Sequence, residues 1–382
     1  MEDYGYYHKK SSRDGKLRKS LLVRIVDIIM LILTVMCTLL LATAYLARYI
    51  SPEEVWIFAF PGLIFPVLYV CELIFALWWV VRWKRYALLP IFMLVIGIGA
   101  AGRFYQPDFR KRYDEQSPSS SDIVVMSYNV RLFSSRFAAG NNSTSKLIAG
   151  LINDNNVDII CFQEMNDLSS PEIDKYLPAF KYRRRFPYAD NATQTAGIGI
   201  YSRYPIIDAG VLPSSDSERN FSMWADVRVQ RDTVRVFNNH LNSTHINADD
   251  IDYLSSLRSG GVLHGARVSE IVDKLRENYC RRAPQAETVA EAVKASPYPT
   301  VVCGDFNDTP ASYAYYQIAS EMKDAFVEKG RGAHGTYGRF FNMFRIDYIF
   351  ISEELDVTGY YSFSDVYSDH MPVAASFVFA GK

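Results

Sequence analysis

An almost unbroken apolar run, Ile25–Leu46, interrupted only by Asp27, most limits what this chain can become. Roughly twenty such residues in helical form match the hydrocarbon thickness of a bilayer. The run is too long for the core of a signal peptide and lacks an evident cleavage site, so it reads as an uncleaved anchor. A second apolar stretch, Val55–Val81, contains Pro61, Gly62 and Pro66, which membrane helices tolerate. A third, Tyr86–Phe104, is shorter and glycine-rich. These stretches predict about three transmembrane helices within residues 21–105, behind a basic tail, residues 1–20.

Basic residues set the expected orientation. Lys9, Lys10, Arg13, Lys16, Arg18 and Lys19 precede the first stretch, and Arg82, Lys84 and Arg85 separate the second from the third. The Tyr49–Glu54 turn carries glutamates instead. Because positive flanks stay in the cytoplasm, a multi-pass protein of the inner (cytoplasmic) membrane is expected, with everything after Phe104 on the extracytoplasmic side. Arg110–Arg112 runs against that orientation. Glu72 is the lone carboxylate deep in these stretches, which points to pairing with a polar group on a neighbouring helix rather than to transport. Residues 106–121 are polar, end in a serine-rich stretch and read as a linker.

A soluble domain of residues 122–382 remains. At 49% hydrophobic and 14% aromatic residues the chain can fill a sizeable core. From Asp122 onward there are 26 basic and 32 acidic residues. That balance fits poorly with gripping nucleic acid by bulk electrostatics, and any site handling phosphate would need a cation supplied locally. The five cysteines contain no CxxC pair, so neither a disulfide framework nor a zinc site is expected.

Strand candidates in this domain repeatedly stop at a polar residue. In VVCGDFNDTP, Val301–Pro310, an apolar run ends at Gly304 and delivers Asp305, Asn307 and Asp308 onto a turn, with Pro310 suited to the first turn of a helix. Asp308 is either part of that polar set or a cap for the helix. Asp122–Tyr128 runs into Asn129, Val157–Phe162 into Gln163 and Glu164, and Thr233–Asn239 into His240 and Asn242. Asp369 and His370 precede a last strand, Pro372–Phe379; Ile346–Ile351, Gly197–Ser202 and Met223–Val229 complete the strand candidates. Helical spacing covers Ser143–Asn155, His264–Ala295 and Ser312–Ile318. Ile246–Gly261 reads as a loop near the mouth, suited to selecting substrate or a mere surface insertion. Arg183–Arg185 reads as a solvated strand or loop, and Arg282 and Gln285 as a solvated helical face. Alternating strands and helices suggest packed sheets flanked by helices.

The ordered segments SYNVRLF, CFQEMN, GIGIYSRYPI, FNNHLNS, CGDFNDTP, RIDYIF and SDHMPV resemble the endonuclease/exonuclease/phosphatase superfamily over Ile123–Phe379, as a membrane-anchored, bacterial-type member. The resemblance implies an α/β (α+β) fold: a four-layer α/β/β/α sandwich of two mixed sheets, here preceded by the transmembrane region. It implies hydrolysis of phosphodiesters or phosphomonoesters with Mg2+ or Mn2+. By the same resemblance Glu164 is the principal metal ligand, with Asn129 and Asp369 completing or seconding the site. His370 and Asp347 form a histidine–aspartate pair, His240 stabilises charge on the phosphate or leaving oxygen, and Asn242 contacts substrate. Asp305 orients or deprotonates water, and Asn307 holds a phosphate oxygen. Three readings follow: a membrane-tethered phosphoesterase acting on a lipid-linked or envelope phosphate ester, a metal-dependent nuclease acting on DNA or RNA, or a non-catalytic membrane-anchored binding module. No protein partner is indicated.

Overall fold

The computed structural model describes residues 4–107, 118–119, 121–139, 142–166, 172–188, 196–213, 220–244, 246, 248–258, 260–338, 344–363 and 367–381. Most of the expected linker, 108–117 and 120, lies outside the described residues, as do 247 and 259 of the Ile246–Gly261 stretch.

Tyr4–Leu46 is one helix, and its Leu21–Leu46 part is long and apolar enough to cross a membrane. The second stretch departs from expectation. It breaks at Ile64 into Pro52–Leu63 and Phe65–Val81, bent by 58°. Pro61 and Pro66 flank the break, and each removes an amide donor and crowds the preceding turn. The third stretch contains only a shorter apolar helix, Arg85–Ile96. Polar pairs fix how the first two helices meet. Asp27 contacts Arg82 at 2.7 Å, Trp79 Nε1 donates to Thr34 Oγ1 at 2.9 Å, and Thr38 Oγ1 donates to the buried Glu72 at 2.6 Å. Glu72 therefore faces its neighbouring helix, as its isolation in sequence suggested.

Two six-stranded mixed sheets form the following domain. One runs, edge to edge, Met322–Asp324, Asp347–Ser352, Thr300–Asp305, Asp232–His240, Ser222–Val229 and Ile206–Val211. The other runs Leu355–Ser362, Val373–Phe379, Ile123–Asn129, Ile159–Met165, Gly197–Ser202 and Tyr182–Pro187. Each sheet has one parallel pair at its centre: Asp232–His240 with Thr300–Asp305, and Ile123–Asn129 with Ile159–Met165. The central strands are buried on both faces, which explains their continuous apolar runs. Ile123 and Val125 point between the sheets with Cys161, Val236, Val301 and Ile349. Val124 and Met126 point outward against Ile148 and Ile152 of the Thr144–Asp154 helix. On the opposite outer face, Phe237, Val302 and Phe350 meet Ala286, Val289 and Tyr315 from the Gly265–Lys294 and Tyr313–Ala319 helices. Four layers result.

Within the two six-stranded sheets, Tyr182–Pro187 matches only the strand-or-loop reading of Arg183–Arg185, and Ile206–Val211, Met322–Asp324 and Leu355–Ser362 had no counterpart in the sequence reading. All lie at or beside a sheet edge, where one face is wet and the apolar signal is diluted. Arg183 and Arg185 project from the first of them and pair with Asp174. The Thr300 strand continues through Gly304 to Asp305; glycine is required there, because φ is +139° and a Cβ would collide with the Asn239 carbonyl. Pro310 precedes the next helix rather than opening it: Ser312 is the cap, its Oγ accepting from Tyr315 N at 3.1 Å. Within Ile246–Gly261 the chain forms a helix, Ala248–Arg258, instead of a loop.

Arg282 and Gln285 are buried, contrary to a solvated face. Arg282 Nη1 donates to Asp308 at 2.7 Å, which is the fate of that ambiguous aspartate, and Gln285 Oε1 accepts from Asn242 N at 2.8 Å. Removing one partner of a buried pair strands the other charge in apolar surroundings. Arg282→Met should therefore destabilise the protein by roughly 3–5 kcal/mol, and adding Asp308→Leu should recover most of the loss. Urea midpoints of the three proteins in detergent micelles check this; an unchanged midpoint in the single variant would refute it.

Candidate active site

The topology itself assembles the site. Both parallel pairs end at the same rim, where Asn129 registers with Gln163 and His240 with Asp305. The antiparallel neighbours begin there, so Asp347 registers with Asp305 and Val373 lies opposite Ser127, with Asp369 and His370 just before it. Six strand ends thus deliver Asn129, Glu164, His240, Asp305, Asp347 and His370 to one mouth.

Strict alternation would not bring Glu164 there beside Gln163. The strand is irregular between Phe162 and Met165, and Glu164 adopts φ +50°. That bulge splits the two residues. Gln163 turns inward, donating to Ser127 Oγ at 3.0 Å and Asn238 Oδ1 at 2.7 Å between the sheets. The half-exposed Glu164 carboxylate faces the mouth. Arg131, Leu132, Phe133 and Asn307 also have positive φ; strain of this kind gathers where side chains are aimed for a purpose.

Asn129 Nδ2 lies 3.2 Å from Glu164 Oε1 and 3.0 Å from Asp305 Oδ2, and the amide oxygen accepts from Arg131 N at 3.1 Å. The amide nitrogen thus bridges two carboxylates that otherwise repel. His240 approaches the same pair, with Nε2 3.6 Å from Glu164 and 3.9 Å from Asp305. Its tautomer can be reasoned out. Tyr188 Oη accepts from Glu164 N at 3.2 Å, and burial holds its phenol well above the usual range, so its own hydrogen goes to His240 Nδ1 at 2.8 Å. A neutral His240 ring then carries its proton on Nε2, facing the carboxylates. Tyr188 was not foreseen, and no local pattern marks it.

His370 is buried, and Nδ1 lies 3.0 Å from Asp347 Oδ2 while Nε2 lies 3.7 Å from Asp305. Burial disfavours the charged ring, but Asp347 and then Asp305 outweigh it and raise the pKa from 6.5 to about 10. Asp305 is pushed up to about 6 by burial, against the pull of His370 and with Asp347 adding repulsion. Thr336 Oγ1 accepts from the amides of Ile346 and Asp347 at 2.9 and 3.0 Å, fixing the aspartate's backbone. Asn307 N donates to Asp305 Oδ1 at 2.9 Å, and its side chain donates to Leu241 O at 3.0 Å.

Two expected residues sit differently. The Asp369 carboxylate is taken by Arg131, although both line the same cavity as Glu164 and Asp305. Asn242 is buried and spends its amide on Asn278 Oδ1 at 2.5 Å, away from that cavity's described lining.

Glu164 and Asp305 supply carboxylate oxygens of the kind hard divalent cations take, and the Asn129 amide beside them presents its nitrogen in this structure. Among the described residues His240 and His370 approach these carboxylates, while Arg131, which lines the same cavity, is paired with Asp369. The carboxylate oxygens present fit a hard divalent cation. Asp305, Asp347 and His370 also bring donor atoms within 4.8 Å of one another. His370 Nδ1 is engaged with Asp347 in this structure, so the ring belongs to that pair.

The profile of the Endonuclease/Exonuclease/phosphatase family matches residues 126–370, and that of a domain of unknown function matches residues 27–104. No curated protein matches the chain in sequence. An endonuclease/exonuclease/phosphatase from Beutenbergia cavernae is similar in structure at 20% identity and TM-score 0.51, covering 68% of this chain and 72% of that one. One from Bacteroides vulgatus is 18% identical with TM-score 0.50, covering 68% of this chain and 100% of that one. At such identity these likenesses speak to the fold, whereas the profile spans well over half of the chain. By that match this protein belongs to the endonuclease/exonuclease/phosphatase family.

Proposed function

We propose that this protein is a membrane-tethered, divalent-metal-dependent phosphoesterase acting on a phosphate ester carried at the membrane. The observation that carries the reading is the convergence of Asn129, Glu164 and Asp305 with two histidines, one of them held by Asp347, at a single rim. Glu164 would hold the cation with Asn129 once that amide turned its oxygen toward the carboxylate, and Asp369 lies in the same cavity wall to second them. The cation, Mg2+ or Mn2+, would neutralise charge developing on the phosphate oxygens. The charged His370 would donate its Nε2 hydrogen to a phosphate oxygen, and His240 would do the same toward the phosphate or the leaving oxygen. Asp305, with its pKa near 6, would orient the attacking water and accept its proton. Asn307, fixed by Asp305 and Leu241, would position a phosphate oxygen.

Membrane placement rests on separate support. Leu21–Leu46 leaves most of its apolar side chains uncovered by protein, an area water would not tolerate. Whether Pro52–Val81 and Arg85–Ile96 cross as well, making the protein multi-pass, belongs to the same proposal. The Asp27–Arg82 pair sets the basic Arg82–Arg85 turn beside the N-terminal end of the first span. The domain contacts the opposite end, at Pro52, Gly62 and Arg103. With positive charge kept inside, the catalytic domain would lie on the extracytoplasmic side. A nuclease is less favoured: Arg183 and Arg185 are spent on Asp174, and the domain is net acidic.

Hydrolysis of a phosphodiester dye and of phospholipid vesicles should be abolished by chelator and restored by Mg2+ or Mn2+. Glu164→Ala, Asp305→Ala and His370→Ala should each lower kcat/KM by roughly 10²–10³-fold or more while circular dichroism stays near that of the parent. Turnover that survives chelation, or cleavage of duplex DNA in preference to vesicles, would overturn the proposal. A second prediction follows from the raised His370 pKa. Its stabilising contribution is complete below pH 6.5 and is lost as pH rises through about 10. In chelator-treated protein, nitrogen NMR at pH 8 should find both His370 ring nitrogens protonated, and Asp347→Asn should return the ring toward ordinary titration.

A further inference from the structure

The cavity of about 740 Å³ at the mouth has two unlike sides. Glu164, Asp305, Asn307 and His370 form one. The other is apolar and comes from outside the two sheets: Phe60 and Leu63 from the N-terminal region, Ile246 and Leu254 from the segment after His240, and Ile271 and Leu275 from the Gly265–Lys294 helix. Val268, Ile271, Val272 and Leu275 all face this space, at spacings of three and four residues, so one helix face is given to it. The apolar face used against the sheet, Ala286 and Val289, lies further along the same helix. Arg131, Arg136, Ser243 and Thr244 also line the cavity, but this helix face presents hydrocarbon to it.

The wall is continuous with the region facing lipid. Leu63 is followed by Ile64 and Val67, apolar and exposed, at the start of the Phe65–Val81 helix. It is also tied to the chemistry: Thr309 Oγ1, two residues beyond Asn307, donates to Gly62 O at 3.3 Å. Phe60 packs edge-on to Tyr279, with ring centroids 6.0 Å apart. The broken helix pair thus places its bend where a phosphate site and the hydrocarbon boundary meet.

Resting on the phosphoesterase reading above, we propose that the substrate is an amphiphilic phosphate ester whose hydrocarbon chain lies along Phe60, Leu63, Ile271 and Leu275 while its phosphate occupies the polar side. The N-terminal region is then half of the substrate site as well as an anchor. In hydrolysis, water oxygen bonds to phosphorus as its proton passes to Asp305, the ester P–O bond breaks, and the proton held by Asp305 passes through solvent to the leaving oxygen, which restores the carboxylate.

The test uses the full chain in nanodiscs with Mg2+ and alkyl p-nitrophenyl phosphodiesters from methyl to dodecyl. Specificity, kcat/KM, should rise about tenfold or more with chain length, mainly through KM, the size expected when a few methylenes leave water. Partitioning into the bilayer would raise it too, but equally for every variant. Phe60→Ser and Leu275→Asn should therefore lower the dodecyl-to-methyl ratio several-fold, and Phe60→Leu should restore it. Competitive inhibition by dodecylphosphonate should be at least about tenfold tighter than by methylphosphonate below micelle-forming concentrations, and that ratio should shrink several-fold in Phe60→Ser and Leu275→Asn, which partitioning alone would leave unchanged. Equal inhibition by the two phosphonates, or a ratio unchanged in both polar variants, would overturn this inference alone. Silence on every ester, methyl included, would overturn the phosphoesterase reading and this inference with it.

Discussion

Burying like charges together is the constraint on which the rest depends. Asp305 and Asp347 are each 1% exposed, and Glu164 stands beside them at the mouth. Carboxylates so placed repel in a medium that screens poorly. Asp305 records the conflict in its raised pKa. The domain is net acidic and offers no long-range relief. Compensation therefore has to be local and exact in position: the His370 imidazolium, the His240 ring, the Asn129 amide and, in the proposed function, a divalent cation. Positions that hold charge so precariously in the resting protein are the ones that respond most when a phosphate and its developing charge arrive.

Such compensation demands a rigid frame, and the frame includes the N-terminal region. Arg345 is buried two residues from Asp347. It donates to Asp324 at 3.2 and 2.7 Å and to the Arg103 carbonyl at 2.9 Å. Its guanidinium packs against Phe326 and Tyr348 at 4.6 and 4.7 Å. Buried ion pairs return little net stability, and their better-supported use is to fix register. A guanidinium that joins the end of the apolar region to the sheet edge beside Asp347 does that here. A short strand pair, Tyr105–Gln106 with Gly332–Ala333, adds a second attachment, and at Tyr316 the Arg48 guanidinium lies over the ring while Tyr49 meets it edge-on. With the contacts at Pro52, Gly62 and Phe60, these attachments hold the N-terminal region against the domain, which is what a shared cavity wall requires.

Most of the central architecture was legible because central strands are buried on both faces. Runs such as Ile123–Met126 and Val301–Cys303 carry a signal that no other element imitates, and the polar residue closing each run marks the rim. What stayed hidden was decided across long sequence distances. The edge strands mix exposed and buried positions, so their pattern dissolves. Arg282 looked like any charge on a helix, and only the arrival of Asp308 from the turn after Asp305 makes its burial tolerable. Tyr188 gains its role from two partners, Glu164 and His240, 24 and 52 residues away. Asn242 sits two residues after His240 and shares its motif, yet the long helix captures its amide.

Gln163 and Glu164 show how far a motif can be read without coordinates. As adjacent polar residues closing a strand they are equivalent in sequence, and a regular strand would send one to the mouth and the other to the opposite face. The bulge changes that assignment by rotating Glu164 into the left-handed region, where a non-glycine residue pays a conformational penalty. The penalty is held in place from both sides. Gln163 is locked between the sheets by Ser127 and Asn238, while Asn238 itself donates to the carbonyls of Phe162 and Gly199 at 3.0 Å each. The Glu164 amide is fixed by Tyr188, whose hydroxyl also sets the His240 tautomer. The same network that joins the two sheets therefore aims the carboxylate and orients the histidine, so loosening the sandwich core at Asn238 would disturb the site before it unfolded the domain.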